Sequence, residues 1–351
     1  MIAGSLLLAA TDGVGLGCGA LAALACLTRV GRRRRVTRRR RLLAPHRADL
    51  IAVSAGEDSE GASLRALATA PRRAQAALAE NVAGMLGKVR GLPAEQLVDL
   101  LREHDALDRA RVDLGHRSRV RRARATQLLG LSRDSSAVEA LLPALDDRSP
   151  EVRASAAYAL GLIGDPRAAG PLLRATGSPS GGLPAGLAAE ALLGMGVGIS
   201  DALGEGLRDA DPRARTVAAH LCGAGSFTRP RPILRELLAR DPDLTVRETC
   251  AVALGRIGRT EDAESLARHT EAEHPLPLRR VCAAALGELA DPTAVPTLAA
   301  LLHDPDPRLA ELAAAALVRF GPAGRDALEA ADHRGPVRSA LTLARLQGAL
   351  P

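Results

Sequence analysis

The sequence predicts an all-α protein: an α-solenoid preceded by a single transmembrane helix. Three observations lead to this prediction. An apolar stretch runs from Ile2 to Thr28, a run of arginines follows it, and one helical pattern recurs from Ser118 onward. The pattern has a period of about 31 residues with two apolar helical stretches in each unit, so that each unit buries its faces against its neighbours.

Residues 1–28 form the first predicted element. The stretch from Ile2 to Thr28 contains one charged residue, Asp12. As a helix it would reach about 40 Å, which exceeds a hydrocarbon core of roughly 30 Å. Its positive charges follow the apolar stretch, the reverse of a cleaved signal peptide. We therefore expect a retained transmembrane helix. The alternative is an apolar N-terminus without regular structure, or a misplaced start codon, because Asp12 and several glycines disfavour a spanning helix.

Residues 29–47 form a basic juxtamembrane segment. The sequence GRRRRVTRRRR, residues 31–41, holds eight arginines. Because positive charges flanking a span stay on the cytoplasmic side, we expect the N-terminus outside and the rest of the chain in the cytoplasm, at the cell membrane. We predict contact with anionic lipid head groups. The predicted membrane-surface residues are Arg32, Arg33, Arg34, Arg35, Arg38, Arg39, Arg40 and Arg41.

The charge of the chain is concentrated in this segment. Of the net +7, residues 1–47 contribute +9, from ten arginines and one acid, and the remaining residues contribute −2. Aromatic side chains are limited to Tyr158, Phe227 and Phe320. Single-stranded nucleic acid is bound on stacking aromatic platforms. We therefore expect no nucleic-acid partner, and a soluble nucleic-acid binder acting through the arginine run is kept only as an alternative.

Residues 48–117 are predicted to form a helical N-terminal cap on the solenoid. The repeat is not evident here, but helical patterns run over about 71–89 and about 93–103, the second beginning at Pro93. Proline is favoured in the first turn of a helix because its missing N–H would be unpaired there anyway. The stretch GEDSEGAS, residues 56–63, has the composition of a loop.

Residues 118–351 are predicted to form the solenoid. Three stretches are variants of one helix and its exit: VRASAAYALGLIGDP (152–166), VRETCAVALGRIGRT (246–260) and LRRVCAAALGELADP (278–292). Small residues on the packing side allow close helix approach, and the Gly-Asp-Pro turn ends the helix. An arginine lies eight residues before the glycine in most units, and Gly186 and Ala310 replace it in two. The arginines of the predicted structural ladder are Arg122, Arg153, Arg215, Arg247 and Arg279.

An acid lies six residues before this anchor position in most units. The acids of the ladder are Asp147, Asp209, Asp241 and Asp304, and Glu273 has the same place in one more unit. Acids at this place cap the following helix and pair with arginines of adjacent units. We predict that the ladder is structural, with a ligand-binding stripe as the alternative. The loop 177–186 interrupts the third unit, either as a decayed repeat or as a binding feature.

The pattern R-x-x-A-x-x-A-L-G-x-[IL]-G-D-P resembles the bacterial HEAT-like repeats of the phycobilisome-lyase type, over about Ser118 to Leu350. The order of apolar stretch, basic run and repeats, with GHRSRVRRARATQLLG (115–130), also resembles a group of membrane-anchored bacterial HEAT-repeat proteins, some of them encoded beside glycosyltransferases. The first resemblance implies the fold and offers a bilin lyase as the enzymatic alternative. The second implies a membrane-associated partner such as a glycosyltransferase.

The sequence contains no recognisable catalytic motif, and we predict no cofactor. Its densest cluster of potential metal ligands is HTEAEH, residues 269–274, which we interpret as a solvated loop, with the metal site of a metal-dependent enzyme as the alternative. We predict instead a non-enzymatic scaffold, anchored in the membrane, that binds a protein partner on the concave surface of its repeats. Anchoring would raise its effective concentration near membrane partners.

Overall fold

The computed structural model of the protein describes residues 29–30, 33–34, 36–177, 182–331 and 337–342. The predicted transmembrane helix, residues 1–28, lies outside the described residues. Every regular element of the described chain is helical. Among the helices that are described, none is long and apolar enough to cross a membrane. The chain divides into two compact units, residues 1–109 and 110–351.

The first unit is built from short amphipathic helices around a core of leucine, valine and alanine. Leu67, Leu78, Val82 and Leu97 are fully buried. Residues 36–43 are helical. The helices that follow are α1 (Arg47–Ala55), α2 (Ala62–Ala68), α3 (Arg72–Leu86), α4 (Leu92–Glu103) and α5 (Ala106–Asp113), which spans the boundary between the units.

The second unit alternates two sets of helices, which we name the long and the short helices after the typical length in each set; α10, with nine residues, belongs to the long set by its position. The long helices are α6 (Arg119–Leu131), α8 (Pro150–Ile163), α10 (Ala185–Leu193), α12 (Pro212–Ala224), α14 (Leu244–Ile257), α16 (Leu276–Leu289) and α18 (Pro307–Val318). The short helices are α7 (Val138–Leu141), α9 (Ala169–Ala175), α11 (Ser200–Gly206), α13 (Arg231–Arg240), α15 (Thr260–Arg268), α17 (Val295–Leu301) and α19 (Gly321–Ala330). Each long helix packs on the next long helix, and the short helices form a second layer. This is the solenoid arrangement that the repeats predict.

The ends of the helices follow from local chemistry. Asp243 accepts hydrogen bonds from the N–H groups of Thr245 and Val246, and so caps α14. At the other end of a long helix, Gly164 adopts a left-handed conformation (φ 74°) that ends α8. The next residue, Asp165, accepts the N–H of Arg167 and starts the turn that leads to α9. Capping and a left-handed glycine therefore convert the Gly-Asp-Pro sequence into the link between two helices.

Neighbouring long helices approach each other backbone to backbone. A Cβ atom placed on Gly130 would lie 2.5 Å from the Cα of Ala159, and one placed on Gly255 would lie 2.8 Å from the Cα of Ala285. Contacts this close exist only because the residue is glycine. The contact recurs between Gly130 and Ala159, Gly161 and Ala191, Gly223 and Ala253, Gly255 and Ala285, and Gly287 and Ala316.

The third unit departs from this series. Ala191 contacts Gly161 of the preceding long helix, in the same way as Ala159 contacts Gly130. Two residues after Ala159 comes Gly161, whereas two residues after Ala191 comes Leu193. The third unit therefore has Leu193 at the glycine position, and its anchor position is Ala185 instead of Gly186, a correction of one residue. Helix α10, which ends at this leucine, contacts α12 less extensively than other neighbouring long helices contact each other.

Candidate functional site

The ladder arginines connect successive units. Nε and Nη2 of Arg122 donate to the two carboxylate oxygens of Asp147, at 2.6 and 2.7 Å. Its Nη1 donates to the carbonyl oxygen of His116 at 2.9 Å, in the loop before its own helix. Arg215 holds Asp241 in the same way, at 2.7 and 2.9 Å. Each guanidinium therefore links the loop of its own unit to the loop of the next one, through a charge-assisted bidentate pair.

The other three arginines of the predicted ladder have varied partners. Nη2 of Arg279 donates to Asp304, and its Nε donates to a carbonyl oxygen of the preceding loop. Nη1 of Arg153 donates to the carbonyl oxygen of Asp147 at 2.9 Å. Nε of Arg247 donates to the carbonyl oxygen of Leu238 at 3.1 Å, and Glu273, the acid at the matching place, is exposed. Among the described residues, ion pairs between a ladder arginine and the aspartate of the next unit therefore join Arg122 to Asp147, Arg215 to Asp241 and Arg279 to Asp304.

A second acid, two residues after the first, completes the loop. Asp241 accepts the N–H of Asp243, and Asp243 caps α14. The sequence pattern D-x-D, which also occurs at residues 209–211 and 304–306, is a signal for this arrangement that the ladder prediction leaves out. Burial alone would raise the pKa of Asp147, but hydrogen bonds from Arg122 and the N–H of Ser149 hold it below its ordinary value.

Asp209 is the exception among the ladder aspartates. Within the described part of the chain, its side chain accepts one hydrogen bond, from the N–H of Asp211. The arginine that would reach it belongs at position 185, where the chain has alanine.

The described arginines of the basic segment lie on the surface of the first unit. Arg39 forms an ion pair with Glu80, at 2.9 Å between Nη1 and Oε2. Arg33, Arg34, Arg38, Arg40 and Arg41 are exposed. Arg32 and Arg35 are outside the described residues.

The cluster 269–274 is held by its own hydrogen bonds and stacking. His269 is buried, and its Nδ1 donates to the carbonyl oxygen of Ser265 at 2.7 Å, so this nitrogen carries the proton. Its ring stacks on His274 with 4.7 Å between centroids. Burial lowers the pKa of His269, and the nearby charges of His274, Arg247 and Arg268 act in the same direction. Over the described residues, no group of three His, Cys, Asp or Glu side chains could hold a metal.

An apolar groove lies on the exposed face of the long helices. Tyr158, on α8, is 53% exposed, and Leu187, on α10, is 37% exposed. Together with Leu162 and Glu190 they line a groove of about 160 Å³, which we name the Tyr158 groove. Leu193 and Val252 extend the exposed apolar residues along the same layer. The short helices expose charged residues: Arg174, Glu205, Glu236, Arg240, Glu264 and Arg268.

Comparison with known proteins identifies the repeats. The family model of HEAT repeats matches residues 113–193, 200–280 and 275–344, more than half of the chain. The chain belongs to the HEAT-repeat family. A search of curated proteins finds no match to its sequence.

Several solved structures share the arrangement of helices. A mutant form of Kap121p is 14% identical over 88% of this chain and 40% of its own, with a TM-score of 0.55. The karyopherin Kap121p bound to the SUMO protease Ulp1p is 14% identical over 80% of this chain and 34% of its own, with a TM-score of 0.51. The HEAT-repeat chain thus spans less than half the length of these karyopherins, and at this identity the likeness shows the fold alone.

The CpcE–CpcF complex of phycocyanin lyase, from Nostoc sp. PCC7120, is also similar. The matched chain of that complex is 22% identical over 70% of this chain and 88% of its own length, with a TM-score of 0.30.

Proposed function

We propose that the protein is a non-enzymatic, membrane-anchored scaffold that binds a protein partner on the long-helix layer of its HEAT repeats. One observation carries the proposal: the Tyr158 groove is an apolar surface on the long-helix layer, where Tyr158 and Leu187 are exposed. Exposed apolar surface of this kind marks interaction sites in soluble domains.

The chemistry of the groove favours a protein partner. Tyrosine is enriched among the residues that dominate binding energy, because its ring buries much area at little conformational cost. Tyr158 is the only tyrosine in the chain, and it is exposed on α8. Kap121p, which shares the fold, is described in complex with a protein, the SUMO protease Ulp1p. These points support a protein partner over a small-molecule substrate.

The membrane part of the proposal rests on the sequence of residues 1–47. The apolar stretch from Ile2 to Thr28 would anchor the chain in the cell membrane with the repeats in the cytoplasm. The exposed arginines would contact anionic lipid head groups. A partner in the same membrane, such as a glycosyltransferase, would meet the scaffold at a raised effective concentration.

Two measurements test these parts separately. In cell fractionation the full chain should stay with the membranes at high salt, whereas a protein held by arginines alone would wash off. Recovery of the full chain in the salt wash contradicts the anchor. In pull-downs from detergent extract, the full chain is compared with a variant lacking residues 1–41.

A matched pair of variants tests the groove. Tyr158→Ala should reduce partner recovery about tenfold, in line with the loss of a buried aromatic anchor. Val197→Ala is the control, because Val197 is 87% exposed and lies outside the groove, in the 3-10 turn Gly196–Ile199 before α11. Equal recovery by the two variants would exclude the Tyr158 groove as the binding surface.

A further inference from the structure

The third repeat has no arginine at the position from which Arg122, Arg215 and Arg279 bind the aspartate of the next unit. Asp147, Asp241 and Asp304 each receive a guanidinium from the preceding unit. Asp209 holds the same place in its loop, and the preceding unit has Ala185 at the arginine position. We name this place, Ala185 together with Asp209, the ladder gap.

The carboxylate of Asp209 is oriented as in the complete links. It accepts the N–H of Asp211 at 2.9 Å on Oδ1, as Asp241 accepts the N–H of Asp243 at 2.9 Å on Oδ1. In the complete link both carboxylate oxygens of Asp241 also receive an arginine. Asp209 is half-buried. Within the described chain Nη1 of Arg215 donates to its backbone carbonyl oxygen at 2.9 Å, but no arginine donates to its carboxylate. A carboxylate already fixed for a bidentate partner therefore lacks that partner.

Open space adjoins the ladder gap. A cavity of about 570 Å³ is lined by Leu183, Pro184, Ala185, Thr216 and Val217, among others. Two charged residues, Arg213 and Asp243, also lie on its wall. Asp243 is already engaged in capping α14. The cavity thus adjoins the ladder gap on the side of Ala185, and Asp209 is not among the residues that line it.

We propose that the ladder gap binds an arginine side chain supplied by the protein partner. The planar guanidinium matches a carboxylate through two parallel hydrogen bonds, which an ammonium group or a metal ion does not reproduce. The geometry of Arg122 and Arg215 on their aspartates is the template for this contact. The inference rests on the proposed function in one respect, namely that the partner is a protein.

The test uses the full chain and a small probe, so that it does not depend on knowing the partner. The probe is N-acetyl-arginine methylamide, and the matched control is N-acetyl-citrulline methylamide, which has the same shape without the charge. Isothermal titration should show binding of the arginine probe at least tenfold tighter than of the citrulline probe. Equal affinity for the two probes overturns the proposal.

Two variants locate the binding. Ala185→Arg supplies the missing guanidinium from within the chain, so it should abolish probe binding and raise the unfolding temperature. Asp209→Asn removes the charge and should weaken binding at least tenfold. If Ala185→Arg folds and still binds the probe like the wild type, the site is not the ladder gap. If Ala185→Arg does not fold, the same conclusion follows from wild-type binding by Asp209→Asn.

The result separates this inference from the proposed function. Tyr158→Ala should leave probe binding unchanged, because Tyr158 is not among the residues of the gap or its cavity. In one outcome of the pull-downs, Asp209→Asn keeps full recovery of the partner while Tyr158→Ala loses it. That result supports the proposed scaffold function and refutes the binding of a partner arginine at the ladder gap.

Discussion

At the scale of single residues, the ladder pairs belong to the buried kind of ion pair, in which each charge depends on the other. The side chains of Arg215 and Asp241 are 11% and 2% exposed. Removing one member of such a pair leaves the other charge without compensation in a poorly hydrated place. The hydrogen bonds that Arg215 donates to Asp241 also raise the pKa of Arg215, so the guanidinium stays ionised.

We therefore expect Arg215→Ala to lower the free energy of unfolding by about 3–5 kcal/mol. Urea denaturation followed by circular dichroism measures the change. The control is Arg319→Ala, because Arg319 pairs with Glu288 at a half-exposed site, where a pair contributes below about 1 kcal/mol. Similar losses in the two variants would show that the ladder pair is no stronger than a surface pair.

A second residue-scale prediction concerns His269, whose pKa is lowered by burial. As the pH falls through about 6.5, the ordinary pKa of histidine, the unfolded chain gains a proton here while the folded chain stays neutral. The contribution to stability is thus full above that pH and declines below it. The free energy of unfolding of the wild type should fall between pH 7 and pH 5 more steeply than that of His269→Gln.

His303→Gln is the control for this comparison, since His303 is exposed. Unfolding midpoints in urea at three or four pH values suffice. If the His269→Gln and wild-type curves run parallel, burial of His269 does not govern the pH-dependence.

At the scale of elements, the spacing of the long helices depends on glycine residues, whose side chain is a single hydrogen atom. A Cβ on Gly255 would meet the Cα of Ala285 at 2.8 Å and its carbonyl oxygen at 2.9 Å. The neighbouring backbone has to move to accept it, and such overpacking costs typically 1–3 kcal/mol. Gly255→Ala should destabilise the protein by about this amount in thermal or urea unfolding.

Gly84→Ala provides the opposite case. Gly84 lies inside α3, and a Cβ there would meet nothing within 4 Å. Since alanine is the better helix former by roughly 0.5–1 kcal/mol, this change should stabilise the protein. If both substitutions shift stability in the same direction, helix propensity and not helix spacing decides the effect at Gly255.

The sequence predicts the repeating elements well, because their signals are local. Periodicity, the Gly-Asp-Pro turn and proline in the first helical turn lead to the helices that the structure contains. The register of the third unit is not local: Leu193 and Gly194 are adjacent, and only the contact of Gly161 with Ala191 shows which residue faces the next helix. For the same reason the sequence does not reveal the Tyr158 groove, which is formed between two helices.

At the scale of the whole molecule, three buried thiols report on the opening of the repeats. Burial raises the pKa of Cys222 and of Cys282 to about 12, so at pH 8 their thiols are protonated and unreactive. Cys222 lies on α12, next to the less extensive contact with α10, whereas Cys282 lies on α16. Cys222 should therefore be labelled faster than Cys282 in low urea.

Labelling with a chromogenic disulfide reagent, followed by peptide mass mapping, measures the two rates in a variant with Cys18 and Cys26 replaced by serine. Above the unfolding midpoint the rates should converge. Faster labelling of Cys282 below the midpoint would mean that the contact between α10 and α12 is not the weakest in the array.

The interruption at Leu193 also has a mechanical consequence. Elsewhere in the described array, a glycine lets each long helix contact the backbone of the next one. This contact, the seat of one helix on the next, leaves little freedom for sliding or bending. A load applied across the repeats would be absorbed mainly where that seat is missing, between α10 and α12. The array should then behave as two stiff arms joined by one compliant joint, so that a bound protein could alter the angle between the arms without deforming either.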